Sequence, residues 1–313
     1  MALCVFDIFP DGSITVPTDT DLTGKGTYRW WHFDLSEPGF EDWITERLPP
    51  IPAGSLLQPE TRPRCDRFDE GLILNLRGIN LNEGQDSDHM VSVRMWVEDD
   101  VVITVRLRKL FALEEIRQDM TNGSAPRTTA GFVEALVARL THRVQLEVAR
   151  ISDLTEFYED DLEDDSTPIP EDLPITRRQV IRMRRYLQPQ QVALTKLAAV
   201  DLPIVPEPDG LKLRELANRT TLAVEELDAL RERLVTVQDE HDLHVAQSQA
   251  RHSFILSLAA AIFLPLGFLT GLFGVNIAGM PGTDNPWAFT ILCLSMVALA
   301  LVMLLIFRLR RWL

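Results

Sequence analysis

Glu240, His241, His244 and His252 are the residues of this 313-residue chain whose spacing comes nearest to a metal-ligand pattern. On a helix, Glu240/His244 stand at i,i+4 and His241/His244 at i,i+3, so two side chains on one face can share a divalent cation. Plain polar surface on a helix accounts for the same residues. A second stretch holds Asp153, Glu156, Glu159, Asp160, Asp161, Glu163, Asp164 and Asp165 with no base among them. It reads as a solvated helix tip or as a cluster that attracts divalent cations. His32, His89 and His142 are read as having no partner at metal spacing. Cys4, Cys65 and Cys293 are too dispersed for a disulfide framework or a closed zinc site and are expected to be reduced. No phosphate loop, helical His-Glu-x-x-His or Gly-x-Ser-x-Gly pattern occurs, so neither an enzyme nor a bound cofactor is expected.

The elements that must position such groups are dominated by two apolar runs. Phe254 to Phe273 and Ala288 to Phe307 are each twenty residues without a charge. A bilayer's hydrocarbon core is about 30 Å thick and takes about 20 helical residues to cross, so both read as transmembrane helices. Between them lies Gly274-Val275-Asn276-Ile277-Ala278-Gly279-Met280-Pro281-Gly282, and the whole connection carries one charge, Asp284. Arg251 before the first run and Arg308, Arg310 and Arg311 after the second place both termini in the cytoplasm by the positive-inside rule, with the loop outside. Along the first run, Ser253, Ser257, Ala260, Leu264, Gly267 and Gly271 recur at alternating threes and fours, small or hydroxylic apart from Leu264. Such a stripe serves close helix packing, as Gly267-x-x-x-Gly271 would, or lines a channel built from several copies.

Gly274-Val275-Asn276, at the exit of a penultimate membrane helix, resembles the Gly-x-Asn signature of the CorA superfamily of divalent-cation transporters. With Val in the middle and Met280-Pro281-Gly282 following, it is most similar to the family's zinc-transporting ZntB branch; Ala278 departs from the glycine expected there. The resemblance implies a homopentamer with the first membrane helix innermost. Gly274, Val275 and Asn276 would then form the selectivity filter, the small-residue stripe would line the pore, and Asp284 would stand at the outer mouth. It also implies Zn²⁺ as the transported ion and a link to protons, although residues 253–307 offer no Asp, Glu or His for a relay except Asp284. Acid-rich helix tips are a feature of the family too.

The remainder reads as an α+β cytoplasmic domain with a small, mostly antiparallel sheet and long helices. Ala2–Phe9 and Ser13–Val16 flank Asp11-Gly12 as a hairpin; Tyr28–Asp34, Leu72–Leu81, Val91–Val97 and Val101–Leu107 are strand-like. Pro38–Leu48 reads as a short helix with Trp43 and Ile44 inward. Helices are expected at Leu110–Met120 and Ala130–Tyr158, the latter with Phe132, Leu136, Leu140, Val144 and Val148 on one face. A basic helix, Ile175–Leu197, carries Arg177, Arg178, Arg182, Arg184 and Arg185 and is expected to pair with the acidic stretch. From Leu211 to Phe273 no helix breaker occurs before Pro265, which predicts one helix about 95 Å long, bent at the proline. The expected segments are a domain at 1–208, a stalk at 209–252, membrane helix one at 253–273, a periplasmic loop at 274–287, membrane helix two at 288–307 and a basic tail at 308–313. No signal peptide is visible at Met1–Pro10, and the resemblance implies a location in a bacterial inner membrane.

Charge divides along the same line. Residues 1–250 hold 27 Lys and Arg against 45 Asp and Glu, whereas the rest is net basic. An acidic surface disfavours nucleic acid and concentrates cations. The expected partners are membrane lipid, further copies of the chain, divalent metal ions and, by resemblance, protons. Three other readings are kept: a magnesium or cobalt channel of the CorA type, zinc efflux, and a membrane-anchored sensor or scaffold that moves no ion.

Overall fold

A computed structural model of the chain describes residues 2–162, 170, 172–200, 202, 204–275, 282 and 285–310. It divides into two compact units, Met1–Gln238 and Asp239–Leu313.

The first unit is built on one seven-stranded sheet. Its strands are β1 (Cys4–Ile8), β2 (Ile14–Thr15), β3 (Tyr28–Asp34), β4 (Arg64–Phe68), β5 (Gly71–Gly78), β6 (Val91–Val97) and β7 (Val101–Arg106), in the spatial order β2-β1-β3-β7-β6-β5-β4. Every pairing is antiparallel except that of β3 with β7, which run parallel with Trp30 opposite Val102. The expected antiparallel character holds, with that single parallel pair at its centre. β3 is apolar on both of its faces because both faces of the sheet are covered. Tyr28 and Trp30 join one core, while Trp31 and Phe33 join the other.

On the Trp31 side lie α1 (Phe40–Arg47) and α2 (Pro50–Leu57), bringing Phe40, Ile44, Ala53 and Leu56 against Ile73, Trp96 and Ile103. Ile44 is buried as expected and Trp43 is half-buried, 4.8 Å between ring centroids from Trp31. Two of these elements were not expected from the sequence. β4 (RCDRF) is too polar to stand out, and the α2 sequence Pro-Ile-Pro-Ala-Gly looks like a breaker. Proline is tolerated in a first helical turn, where its missing N–H would have no partner anyway. The expected strand to Leu81 stops at Gly78, and Leu81 is exposed.

The opposite face carries α3 (Phe111–Thr121), α4 (Thr129–Leu162), α5 (Leu173–Ala198) and the start of α6 (Glu207–Phe273). Near the sheet, Phe132, Leu136 and Leu140 of α4 pack with Leu194, Leu197, Leu213 and Leu216 over Trp30, Leu74 and Met95. Farther along, the helices pack mainly on one another, joined by Ile79 and Met90 from the connection between β5 and β6. Val144, Val148 and Ile151 of α4 meet Val180, Met183 and Leu187 of α5 and Leu227, Leu230 and Leu234 of α6. The three- and four-residue spacing on each helix keeps these side chains on one face.

The second unit holds the remainder of α6 and α7 (Ala288–Leu309).

Candidate functional site

Among the described residues, two helices are long and apolar enough to cross a membrane: α6, in its C-terminal part, and the 22 residues of α7, with mean hydropathies of 2.2 and 2.9. Within its apolar window neither helix has a residue buried inside the chain.

Ser253, Ser257, Ala260, Leu264, Gly267 and Gly271 are all exposed. At 100° per residue they fall within about 40° of a common direction on α6. A neighbouring face holds Phe254, Leu258 and Ala261, which enclose a cavity of about 280 Å³ with Phe307 of α7. Ser257 also lines this cavity, so it stands where the two faces meet. At Gly267 and Gly271 a Cβ would meet nothing within 4 Å. Pro265 lies inside the helix, as expected. The Thr270 hydroxyl donates toward the carbonyls of Leu266 and Gly267 at 3.1 and 3.0 Å, which satisfies a polar side chain on an apolar helix.

At the end of the helix the first residue of the loop motif is under a steric constraint. The Gly274 N–H donates to the Thr270 carbonyl at 2.9 Å, and a Cβ at 274 would stand 2.9 Å from the same oxygen. Only glycine fits that close approach without a shift. Val275 is exposed. Asn276 and Asp284 lie outside the described residues.

Glu240, His241, His244 and His252 all fall on α6. Glu240 and His252 are exposed, whereas His241 and His244 are half-covered, and His241 Nδ1 is buried without a hydrogen bond. Within one chain these four form no three-ligand group among the described residues.

The acidic stretch enters the structure through Asp153–Asp161 on α4, while Glu163, Asp164 and Asp165 lie outside the described residues. The basic helix α5 does pack beside this end of α4, with the Tyr158 hydroxyl 3.1 Å from that of Thr176, but among the described residues its ion pairs go to other partners. Glu159 takes Arg233 of α6, with Nε at 2.8 Å, and this guanidinium holds the Glu159 carboxyl below the usual range. The α5 arginines go elsewhere: Arg177 to Gln238 at 2.6 Å, Arg182 to Asp88 at 3.1 Å and Arg184 to Asp228.

One cluster escaped the sequence reading. Asp86, Asp88 and His89 present three ligand atoms within 4.8 Å of one another, in the turn before β6. Sorting histidines by helical spacing passed over the aspartates one and three residues before His89. The set already has a cation, since Arg182 reaches both Asp88 and, at 2.8 Å, His89 Nε2. His32 is buried in the sheet, its Nδ1 2.8 Å from the Thr104 hydroxyl, and burial pushes its pKa down to about 4.

A sheet-based α/β unit is followed by one long helix, α6, whose C-terminal part is, like α7, long and apolar enough to cross a membrane. The CorA-like Mg²⁺ transporter protein family matches residues 25–311. The zinc transport protein ZntB of Pectobacterium atrosepticum is 32% identical over 300 residues, covering 95% of this chain and 92% of that protein. The divalent cation transporter CmaX of Pseudomonas aeruginosa is 33% identical over 316 residues, covering 99% and 91%. The structure of full-length CmaX superposes with a TM-score of 0.87 at 31% identity, covering 99% of this chain and 98% of that one. The chain belongs to the CorA superfamily, in its ZntB branch. This is a family of transporters rather than enzymes.

Proposed function

We propose that the chain is an inner-membrane Zn²⁺ transporter that imports the ion through the axial pore of a homopentamer. The observation that carries this reading is the uncharged, small-residue face of α6, open to its surroundings and leading to Gly274-Val275-Asn276, in a chain of this family. Zinc in particular is supported by the likeness to ZntB proteins. The pentamer and its funnel-shaped soluble part rest on the family resemblance. In this reading residues 1–208 form the cytoplasmic domain, 209–252 the stalk, 253–273 the pore helix and 274–287 the periplasmic loop. Residues 288–307 face lipid, and 308–313 form a cytoplasmic tail.

The chemistry of the pore face limits the mechanism. Neutral small side chains cannot replace the hydration shell of a divalent ion, whose desolvation cost is very large. The ion therefore passes hydrated or partly hydrated. A ring of Asn276 side chains and nearby carbonyls binds its water shell through neutral oxygens, and Asp284 concentrates cations at the outer mouth. Leu264, 71% exposed within the single chain, supplies an apolar ring that gates by dewetting. Inward movement of a divalent cation into a negative-inside cell gains about 4.6 kcal/mol per 100 mV, so uptake requires no coupling. Efflux would. Proton linkage has no relay side chain in residues 253–307 beyond Asp284. On the stalk, Glu240, His241, His244 and His252 repeat around the axis and meet the ion or protons on the cytoplasmic side.

The likeness to CmaX at 33% identity favours a second reading, a transporter of several divalent cations. Liposomes loaded with a zinc-sensitive dye separate the two. Zn²⁺ entry that survives excess external Mg²⁺ and Co²⁺ supports the zinc reading, while strong competition supports the broader one. Running the assay with and without an inward proton gradient decides coupling.

A further inference from the structure

The first unit holds a cavity of about 660 Å³ whose lining is unexpectedly basic for an acidic protein: Arg62, Arg77, Arg108 and Arg185, with Glu60 as its one carboxylate. These residues come from four places: the segment between α2 and β4, strand β5, the connection after β7, and α5. None of the four arginines forms an ion pair among the described residues. Their neighbours in the sheet do: Arg64 with Asp66, Arg67 with Glu70 and Arg106 with Glu114, at 3.5, 3.4 and 3.0 Å.

Arg77 is the fixed point of the group. Its Nη1 and Nη2 donate to the carbonyls of Met90 and Thr61, both at 2.8 Å, and its guanidinium lies 4.0 Å over the Tyr186 ring. Its Nε is buried with no partner. Behind it, fully buried Arg94 donates to the carbonyls of Gln58 and Pro59 at 2.6 and 2.7 Å, and its Nη1 is likewise unpartnered. Two neighbouring guanidinium groups, of which Arg77 lines the cavity, therefore hydrogen-bond only to neutral oxygens. Burial lowers the pKa of both, and the Arg77 charge further lowers that of Arg94, which falls to about 10. Arg108 bonds only to Gln85, at 3.2 Å, while Arg62 and Arg185 are exposed at the rim.

Repulsion among these charges opposes folding unless something negative relieves it. The protein's net charge of −15 makes a collection of unpaired arginines a local exception to its field. Guanidinium forks match phosphate oxygens two at a time. Met90, Val91 and Leu107 add apolar lining, and the volume is in the range of sites for small organic ligands. We infer that this cavity binds a small phosphorylated anion carrying at least two negative charges, held by Arg62, Arg77, Arg108 and Arg185. The site lies wholly in the sheet-based unit.

The test is calorimetric titration of the full-length protein in detergent, in metal-free buffer at moderate salt, with inorganic pyrophosphate as probe and citrate as the carboxylate comparison. The site predicts saturable pyrophosphate binding at one per protomer. Binding should weaken at least tenfold in the double variant Arg62→Gln/Arg185→Gln, which removes only exposed rim groups. It should be unchanged in Arg178→Gln, an exposed α5 residue outside the cavity. Absence of saturable binding, equal affinity in the double variant, or citrate binding far more tightly than pyrophosphate would each overturn the assignment. So would a double variant that keeps its affinity but changes oligomeric state, since the arginines would then serve a contact between copies.

Discussion

Gly267 and Gly271 stand one turn apart on α6, and at both positions a Cβ would meet nothing within 4 Å. Their small size is thus not required by packing inside one chain. It is required by whatever faces them, which in the proposed assembly is the ion's path. Gly267→Leu and Gly271→Leu are therefore expected to leave the fold of the single chain intact, since leucine also has the better helix propensity by about 1 kcal/mol. Zn²⁺ flux should fall at least tenfold, with the pentamer retained on size-exclusion chromatography. Loss of assembly with each substitution would instead assign the pair to close helix contact between copies.

Leu264→Asn addresses the same face from the opposite side. Replacing an apolar ring by a hydratable one should raise resting ion leak several-fold by removing the dewetted gap. The readout is dye-reported leak in liposomes at zero driving gradient for protons.

Buried and surface ion pairs in the first unit should separate cleanly. Arg29 donates to Asp7 through Nε at 2.6 Å and Nη2 at 2.9 Å, both side chains are almost wholly buried, and Asp19 and the Asp21 carbonyl complete the guanidinium. Asp7→Ala leaves a buried cation short of its partner and is expected to cost about 3 kcal/mol. That corresponds to a fall in Tm of roughly 6–12 °C. Glu159→Ala breaks the Arg233 pair, which is more than a third exposed on both sides, and should cost under about 1 kcal/mol. Thermal melts followed by tryptophan fluorescence compare the two.

His32 sets a pH dependence whose sign follows from burial. Desolvation, reinforced by the nearby Arg106 charge, brings its folded pKa to about 4, against the weaker opposing effects of Glu114, Thr104 and Asp34. Between about pH 6.5 and 4 the unfolded chain binds the proton and the folded chain does not. The stability held above pH 6.5 is then lost as pH falls through that window, by about 3 kcal/mol at most. His32→Asn, which keeps a polar atom near Thr104, should flatten that slope. An unchanged slope would move the cause to another group.

Much of this architecture is legible in sequence because its signals are long or strongly patterned. Tyr28–Asp34 matches β3 residue for residue, and the uninterrupted run to Phe273 matches the end of α6. β4 and α2 were missed because a polar edge strand and a proline-rich turn of helix resemble loop. The pairing of α5 arginines with the α4 acids failed at Arg184 and Glu159, which find Asp228 and Arg233 on α6 instead. The basic cavity has no sequence signature, since Arg62, Arg77, Arg108 and Arg185 are brought together only by the sheet and the helix packed on it. The Asp86-Ser87-Asp88-His89 run was visible, but Arg182, ninety-three residues from His89, decides its chemistry.

The most direct test of the proposed pathway is Zn²⁺ flux into liposomes by the wild-type protein and by Asn276→Ala, each first shown to have the same assembly size in detergent. A neutral oxygen ring that binds hydrated ions predicts flux in the wild type and its loss, by at least tenfold, in the variant. Equal flux through both would contradict a filter at Gly274-Val275-Asn276 and move the selective step elsewhere on α6.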